Sequence, residues 1–208
     1  MRQNGKNKKR RSAMSSAPDP LRHFETWLAE ASAGEPNDPN AMTLATASKA
    51  GRPSARMVLL KEADPRGFVF YTNLESRKSL ELIENPLAAL LFHWKSLRRQ
   101  VRIEGAVIPV APEEADAYFA TRPALSRLGA WASDQSRPLP DRTVLEARLE
   151  AAKARFPDEA AIPRPGHWSG WRLVPDHYEF WQDMPFRLHR REVYTRRGVG
   201  WEISQLYP

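Results

Sequence analysis

The sequence predicts a mainly β protein with inserted helices, an α+β class in which the strands form an antiparallel barrel. Two observations favour this fold. Short strand-like runs bounded by turn residues recur along the 208 residues, and helical segments interrupt them without alternating with them. Regular alternation would favour a doubly wound parallel sheet, whereas irregular insertion favours an antiparallel barrel.

The first folded element is a predicted helix that begins at Asp19 and Pro20 and ends at Gly34. Asp is a favoured N-cap residue, and Pro is favoured at the first helical position because its missing N–H has no partner there anyway. Apolar residues then recur at helical spacing and give the helix one face to bury. These residues are Leu21, Phe24, Leu28 and Ala31.

The strand-like runs follow this helix, and turn residues separate them. They cover residues 41–47, 54–61, 67–73, 87–94, 100–110, 170–174, 187–194 and 201–206. Helices are predicted at 76–84, 112–121 and 141–156. In the run 187–194, the period of two would place Arg187, His189 and Arg191 on one side of a strand.

The net charge of +7 is concentrated at the N-terminus. Residues 1–18 contain six cations and no acid, which leaves +1 for the other 190 residues. We therefore expect a basic, disordered leader over 1–18 and a single folded domain over 19–208. The near-neutral domain argues against a nucleic-acid partner, although an import or polyanion-binding role for the leader stays open.

Several classes of protein are excluded by what the sequence lacks. There is no apolar run long enough for a secretory signal or a membrane span, so a soluble, cytoplasmic protein is expected. The absence of cysteine excludes disulfides, thiolate nucleophiles and cysteine-ligated metals. No dinucleotide, P-loop, zinc-protease or serine-hydrolase motif is present, and the histidines show no ligand spacing, so no metal site is predicted.

Cations cluster instead beside strand ends. Arg56 and Lys61 bracket an apolar run, and Arg77 and Lys78 open a helix just after the strand 67–73. A helix N-terminus with two cations can hold a phosphate, but an ordinary solvated helix start would have the same sequence. Likewise, the set Arg187, His189 and Arg191 fits either an anionic ligand or a charged edge strand.

Ten motifs occur in the order found in the pyridoxamine/pyridoxine 5′-phosphate oxidase family, and the sequence resembles that family over residues 38–208. They are DPNAMTLAT (38–46), RMVLLK (56–61), GFVFYTN (67–73), SRKSLELIENP (76–86), RQVRIEG (99–105), YFATRP (118–123), LGAWASDQS (128–136), HWSGWRLVP (167–175), EFWQ (179–182) and RLHRR (187–191). The predicted first helix also resembles the leading helix of the family.

The resemblance implies an FMN-binding split β-barrel that works as a homodimer with FMN at the interface. The implied reaction is oxidation of pyridoxamine or pyridoxine 5′-phosphate by O₂ to pyridoxal 5′-phosphate, with release of hydrogen peroxide. The implied FMN contacts, some of them from the partner subunit, are Arg56, Val58, Leu59, Lys61, Tyr71, Thr72, Arg77, Lys78, Gln100, Gln135, Ser136, Trp181 and Arg191.

The resemblance also implies a substrate site. Its phosphate contacts are Lys61, Tyr118, Arg122 and Ser126, with Asp38 nearby, and Arg187 and His189 are the implied catalytic residues that hold the pyridine ring over the flavin. Both ligands are phosphate monoesters, so two separate cation clusters suit them.

Two positions depart from the family pattern. Arg190 stands where the family usually has an acid, and residues 1–35 contain no tyrosine for the R-x-x-Y element that folds over substrate. We expect altered surface or dimer pairing from the first and a raised KM from the second. The alternatives are another split-barrel FMN oxidoreductase and a non-catalytic protein that binds FMN or a B6 phosphate.

Overall fold

Nine strands and five α-helices make up residues 19–208, the part of the chain that the computed structural model describes. The leader predicted for 1–18 lies outside these residues. The strands are β1 (Ala41–Ala47), β2 (Pro53–Leu59), β3 (Glu62–Asp64), β4 (Gly67–Asn73), β5 (Leu87–Trp94), β6 (Arg99–Pro109), β7 (Trp168–Gln182), β8 (Arg190–Arg197) and β9 (Gly200–Gln205). The helices are α1 (Pro20–Gly34), α2 (Arg77–Glu84), α3 (Pro112–Ala120), α4 (Ala124–Ala132) and α5 (Arg142–Arg155).

The strands form one antiparallel sheet that curls on itself. Its main path runs β2-β1-β5-β6-β7-β4-β3, so β2 and β3 lie at opposite ends of that path. These two strands are nevertheless consecutive in the chain and are separated only by Leu60 and Lys61. The backbone N–H of Lys61 also donates to the carbonyl of Val69 in β4, at 2.9 Å. The short connection therefore forces the ends of the sheet together, which confirms the predicted barrel with inserted helices.

The long strand β7 organises the sheet. One edge of β7 pairs with β6, while the other edge pairs with β4 along its first half and with β8 along its second half. A bulge interrupts the β6–β7 register between Glu104 and Gly105, opposite Pro175. A bulge bends a strand and increases its twist. Here it separates the part of β7 that closes the barrel from the part that carries β8 and β9.

Helix α1 closes one side of the barrel core. The Asp19 side chain accepts a hydrogen bond from the N–H of Leu21 at 3.0 Å, which is the predicted N-cap. The fully buried ring of Phe24 contacts Phe68 and Phe92, with 5.0 Å between ring centroids in each pair. Burying an aromatic side chain of this kind contributes about 1.5–3 kcal/mol. Within residues 19–208, no helix is both long enough and apolar enough to cross a membrane.

A second, smaller apolar cluster attaches α3, α4 and α5 to the barrel. It contains Phe119 of α3, Leu128 of α4, Ala152 of α5 and Trp168 at the start of β7. Trp168 is 6% exposed and belongs to both the sheet and this cluster. The cluster thereby fixes α3 and α4 against the sheet, where residues of both helices line the cavity described below.

Two predicted strands differ from the structure. The run predicted at 170–174 belongs to the 15-residue strand β7, because the bulge lets the strand continue past Pro175. The run predicted at 187–194 was wrong at its start. Residues 185–187 form a 3₁₀ turn, and β8 begins only at Arg190. Helix α4 and the short strand β3 were not predicted.

Candidate active site

A cavity of about 1,020 Å³ opens between the barrel and the helices α2, α3 and α4. Five cationic side chains line it, and no acidic side chain of the described residues does. The cations are Arg56, Lys61, Arg77, Lys78 and Arg122. So many like charges around one space repel one another unless anions enter it. The composition of the wall alone therefore indicates a site for anionic ligands.

The first group of cations surrounds the N-terminus of α2. Arg77 and Lys78 are the first two residues of the helix, and the Ser76 side chain does not cap it. The first N–H groups of a helix have no partner within the helix and attract anions. Strand β4 ends beside this point and contributes Thr72, and the loop after α4 contributes Gln135 and Ser136. The residues predicted to form a phosphate cradle therefore lie together at the start of α2.

Lys78 is the most deeply placed of these cations, with 9% of its surface exposed. Its ammonium donates to Thr72 Oγ1 at 2.8 Å, Ser76 Oγ at 3.0 Å and Gln135 Oε1 at 2.7 Å. All three acceptors are neutral. Burial, together with the nearby charge of Arg56, lowers the pKa of Lys78 to about 8. A buried ammonium without a carboxylate partner is ready to bind an incoming anion.

A buried carboxylate, Glu81, orients the two arginines of this group. It lies 3.3 Å from Arg56 Nη2 and 2.9 Å from Arg77 Nε, and its side chain is 9% exposed. The hydroxyls of Thr46 and Ser54 each donate to it at 2.5 Å. Burial alone would raise the pKa of Glu81, but hydrogen bonds from Ser54, Thr46 and Arg77 outweigh it and lower the pKa to about 2.

The second group of cations lies where α3 and α4 meet the β2–β3 corner. Lys61 projects from the corner, and its Nζ is 5.8 Å from the centroid of the Tyr118 ring. Arg122 and Ser126 join them in the cavity wall. These are the four side chains predicted to contact the substrate phosphate, and the fold brings all of them to the same cavity as the first group.

Aromatic rings connect the two groups. The rings of Tyr71, Tyr118 and Trp168 are nearly parallel, with centroids 4.1 Å apart for Tyr71 and Tyr118 and 5.4 Å apart for Tyr71 and Trp168. Burial, with the charge of Glu114 second, raises the pKa of Tyr71 to about 12, so its hydroxyl stays protonated. Tyr71 was predicted as a cofactor contact and Tyr118 as a substrate contact. Their stacking places the two predicted subsites next to each other.

The remaining predicted contacts do not line this cavity. Gln100 in β6 lies directly opposite Trp181 in β7, and Trp181 lies directly opposite Arg191 in β8. Directly opposed residues share a face of an antiparallel sheet, so these three form one row. His189 extends the row, with its ring centroid 4.6 Å from that of Trp181. Arg191 Nε donates to buried Glu179 at 2.7 Å. These residues, Gln100, Trp181, His189 and Arg191, form a second cluster, which we call the sheet cluster.

The predicted arrangement of Arg187 was wrong. Arg187 and His189 do not alternate along one strand, because Phe186 and Arg187 both adopt left-handed backbone angles, with φ of 58° and 61°. Pro185, which fixes its own φ and lacks an N–H, starts this turn. Arg187 is exposed, whereas His189 Nδ1 lies 3.0 Å from Asp183 Oδ1.

Asp38 also lies outside the cavity wall. It is exposed in the loop before β1 and has a left-handed φ of 40°. Its carbonyl accepts from the N–H of Ala41 at 2.8 Å, so its backbone shapes the start of that strand. Arg190, the departure from the family pattern, is exposed at the first position of β8.

Two residues of the site were missed by the sequence analysis. Glu81 follows Arg77 by four residues, a spacing that places both side chains on one helix face and could have revealed the pair. Trp168 gave no comparable signal, because its role depends on packing between β7 and Arg122, 46 positions earlier in the chain.

The cavity fits FMN together with a second phosphorylated ligand. Its volume lies at the upper end of the range of about 300–1,000 Å³ that is usual for small-molecule sites. The Lys78 ammonium has only neutral partners, and Arg122 Nη1 is buried with no hydrogen-bond partner among residues 19–208. Each of the two cation groups thus contains a donor that is ready for a phosphate oxygen.

Comparison with known protein families gives two matches. Residues 28–156 match the family model described as pyridoxamine 5′-phosphate oxidase. Residues 168–208 match the model described as the pyridoxine 5′-phosphate oxidase C-terminal dimerisation region. The second match includes all of β7, β8 and β9, and with them most of the sheet cluster.

Curated relatives resemble the chain over nearly its whole length. The pyridoxine/pyridoxamine 5′-phosphate oxidase of Gluconobacter oxydans is 62% identical over 190 residues, covering 91% of this chain and 94% of the relative. The protein of the same name from Granulibacter bethesdensis is 60% identical over 195 residues, covering 91% of each.

Two solved structures share the fold. PhzG from Burkholderia lata, in complex with tetrahydrophenazine-1-carboxylic acid, superposes with a TM-score of 0.87 at 36% identity and covers 93% of this chain and 95% of its own. An FMN-binding protein from Nostoc punctiforme superposes with a TM-score of 0.74 at 17% identity, covering 92% and 100%. The second likeness supports the fold alone.

Proposed function

The chain belongs to the pyridoxamine 5′-phosphate oxidase family, and we propose that it oxidises pyridoxamine and pyridoxine 5′-phosphate to pyridoxal 5′-phosphate with FMN as cofactor. The alcohol and O₂ give the aldehyde and hydrogen peroxide. The amine additionally takes up water and releases ammonium. The observation that carries the proposal is the cavity with five cations in two groups and no acid among its described lining residues.

The first group suits the FMN phosphate. Arg77, Lys78 and the N-terminus of α2 supply charged and backbone donors, and Arg56 completes the group under the orientation of Glu81. Hydrogen bonds from charged donors contribute about 1.5–3 kcal/mol each. When bound, FMN supplies the two-electron oxidation, since a chain without cysteine has no disulfide that could accept the electrons.

The second group suits the substrate phosphate. Lys61 and Arg122 carry the charge, and the hydroxyls of Tyr118 and Ser126 add hydrogen-bonding groups. Holding the substrate phosphate beside Lys61 and Arg122 would fix the distance from the reacting carbon to the flavin ring of FMN. Such positioning is a large part of catalysis. The near-parallel rings of Tyr71 and Tyr118 lie between the two cation groups and so between the two proposed phosphate sites.

The sheet cluster completes the site from a second copy of the chain. This step is supported by two facts: Gln100, Trp181, His189 and Arg191 do not line the cavity of their own chain, and residues 168–208 match a dimerisation region. In a two-fold dimer, each copy gives its cavity to one site and its sheet cluster to the other. Arg187, exposed at the turn before β8, would reach the substrate ring in the same way.

The cytoplasm is the proposed location of the reaction. Both ligands carry phosphate groups, and a phosphate dianion crosses a lipid bilayer very poorly because of its charge.

One preparation tests the proposed function. The purified protein is saturated with FMN, mixed with pyridoxine 5′-phosphate in air, and followed by oxygen uptake, peroxide formation and the absorbance of pyridoxal 5′-phosphate. We expect the three signals to rise in equal amounts. Flavin binding without oxygen uptake would support a carrier instead.

Another oxidoreductase activity of the same fold is the second candidate, because the PhzG structure is a complex with tetrahydrophenazine-1-carboxylic acid, whose name includes no phosphate group. It predicts FMN binding with little turnover of pyridoxine 5′-phosphate. The presence of Lys61, Tyr118, Arg122 and Ser126 around one end of the cavity favours the phosphorylated substrate.

A further inference from the structure

Arg122 is held by aromatic rings and not by a carboxylate. Its Cζ lies 4.7 Å from the centroid of the Trp168 ring and 5.4 Å from that of Phe119. Among residues 19–208, the ionisable neighbours that act on it are Tyr118 and Arg127, and neither carries a carboxylate. A guanidinium over an aromatic face is attracted by the ring electrons while its own charge remains uncompensated.

One end of this guanidinium has no hydrogen-bond partner. Nη1 of Arg122 is buried, and no acceptor within residues 19–208 reaches it. Leaving a buried donor unsatisfied is unfavourable, so such an atom normally bonds to a water molecule, an ion or a ligand. Arg122 lines the cavity beside Lys61, and a phosphate oxygen there would satisfy Nη1.

Trp168 is itself rigidly placed. It is 6% exposed, it begins β7, and its backbone N–H donates to the Pro165 carbonyl at 3.0 Å. Its own carbonyl accepts from Arg164 Nη1 at 2.7 Å. The ring of Phe119 packs against it edge-to-face with 5.0 Å between centroids. The ring therefore offers a fixed surface, and a cation placed on it loses little further freedom on binding a ligand.

We propose that Trp168 is a positioning residue that holds Arg122 over its ring and so makes the second cation group selective for the phosphorylated form of the substrate. The inference rests on the proposed function, since it assigns the substrate phosphate to Arg122. It extends that function by naming the residue that sets the preference for a phosphate ester over the free alcohol.

The contrast with Arg56 shows why the support matters. Arg56 shares its charge with the buried carboxylate of Glu81, 3.3 Å away. Arg122 has an aromatic support and keeps its full charge for the ligand. A carboxylate at the position of Trp168 would orient Arg122 equally well but would weaken its attraction for phosphate.

The test measures binding of 4-deoxypyridoxine 5′-phosphate, a dead-end analogue that has no oxygen on the reacting carbon. Its dissociation constant is compared with that of unphosphorylated 4-deoxypyridoxine by equilibrium dialysis against the FMN-loaded protein. In Trp168→Leu we expect about threefold to thirtyfold weaker binding of the phosphorylated analogue, the range that a lost cation–π contact gives. Binding of the free analogue, measured at saturating FMN, should not change.

Kinetics and a second substitution distinguish a positioning role of Trp168 from a purely structural one. For pyridoxine 5′-phosphate, Trp168→Leu should raise KM and leave kcat nearly unchanged. Trp168→Phe retains a smaller aromatic face and should recover part of the affinity, and it replaces the leucine variant if that variant does not fold. In an Arg122→Gln background, Trp168→Leu should cause no further loss, because the residue through which it acts has gone.

The matched control is Trp131→Leu. Trp131 also lies beneath an arginine, with Arg155 Cζ 4.7 Å from its ring centroid, but neither residue lines the cavity. This substitution should leave both analogues bound as in the unmodified protein.

Two results would overturn the inference: unchanged binding of the phosphorylated analogue in Trp168→Leu, or an equal loss for both analogues, which would indicate a pocket wall only. A different result would contradict the proposed function instead. If the unmodified protein does not prefer the phosphorylated analogue, the substrate assignment fails before Trp168 is considered.

Discussion

Glu81 shows how a single acid can prepare a site for an anion. Arg56, Arg77 and Lys78 bring three positive charges to the cavity wall, and Glu81 compensates one of them from behind. The remaining charge of about +2 balances the charge of about −2 on a phosphate monoester near neutral pH. Because Glu81 does not line the cavity, it fixes the two arginines without meeting the ligand.

Replacing Glu81 by glutamine should destabilise the FMN-free protein by about 1–3 kcal/mol, because Arg56 and the exposed Arg77 both lose the buried carboxylate that they share. The folded-state pKa lies below the usual value of 4.5, at about 2, so the stability that this carboxylate contributes is present above pH 4.5 and is lost as the pH falls towards 2. Urea unfolding between pH 2 and 7 measures both effects. A Glu81→Gln variant with the same acid dependence as the unmodified protein would contradict this role.

Lys78 makes FMN binding depend on pH. Its ammonium is protonated below about pH 8 and loses its proton above that value. The affinity of the FMN-free protein for FMN should therefore fall as the pH rises from 7 to 9.5, a range in which Arg56 and Arg77 stay charged. Quenching of flavin fluorescence on binding follows the change. The control is Lys78→Gln, in which we expect weaker binding at pH 7 and no step near pH 8; a step that persists there would belong to another group.

At the scale of the elements, the barrel depends on a close contact between β6 and β7. A side chain at Gly105 would bring its Cβ to 2.1 Å from the carbonyl oxygen of Val174. Gly105→Ala should therefore force the strands apart at the bulge and lower the stability by about 3 kcal/mol, towards the upper end for overpacked sites. Thermal unfolding measures the loss. Gly129→Ala is the control, since nothing lies within 4 Å of the Cβ that alanine would add and alanine favours the helix α4. Equal losses of stability in both variants would show that the close contact at the bulge is not the cause.

Most elements could be predicted from local patterns, and the exceptions have physical causes. The strands Ala41–Ala47, Gly67–Asn73 and Leu87–Trp94 were predicted to the residue, because short runs of strand-forming residues with turn residues near their ends define them. Strand β7 could not be predicted in full, since Pro175 disfavours a strand interior and only the bulge accommodates it. The turn at Phe186 and Arg187 escaped prediction because two left-handed non-glycine residues are rare.

At the scale of the whole molecule, the predicted site residues divide into two sets that one chain does not unite. The cavity is lined by the predicted residues of β2, β4, α2, α3, α4 and the adjoining loops, whereas the sheet cluster lies on β6, the end of β7, the turn before β8 and β8 itself. The sequence motifs predicted both sets, and the family resemblance implied that some contacts come from the partner subunit, but which residues belong to each set depends on how the sheet curls. We propose that residues 19–208 fold as one domain that pairs with a second copy.

Mixed dimers test this pairing. Lys78→Gln should inactivate a cavity, and Trp181→Ala should inactivate a sheet cluster, so each variant alone should have little activity. Random pairing of the two chains in equal amounts should restore about a quarter of full activity, because half of the dimers then contain one intact site. Oxygen uptake after co-expression measures the recovery. If both clusters served the same chain, mixing would restore nothing.

The wall of five cations has a consequence for the life of the protein in the cell. Without phosphates in the cavity these charges repel one another, so the empty chain is less stable than the loaded one. A ligand at about 100 times its dissociation constant adds about 2.7 kcal/mol of stability. We therefore expect the FMN-free chain to unfold at a lower temperature than the FMN-loaded chain, and to be cut sooner by a protease that attacks unfolded protein.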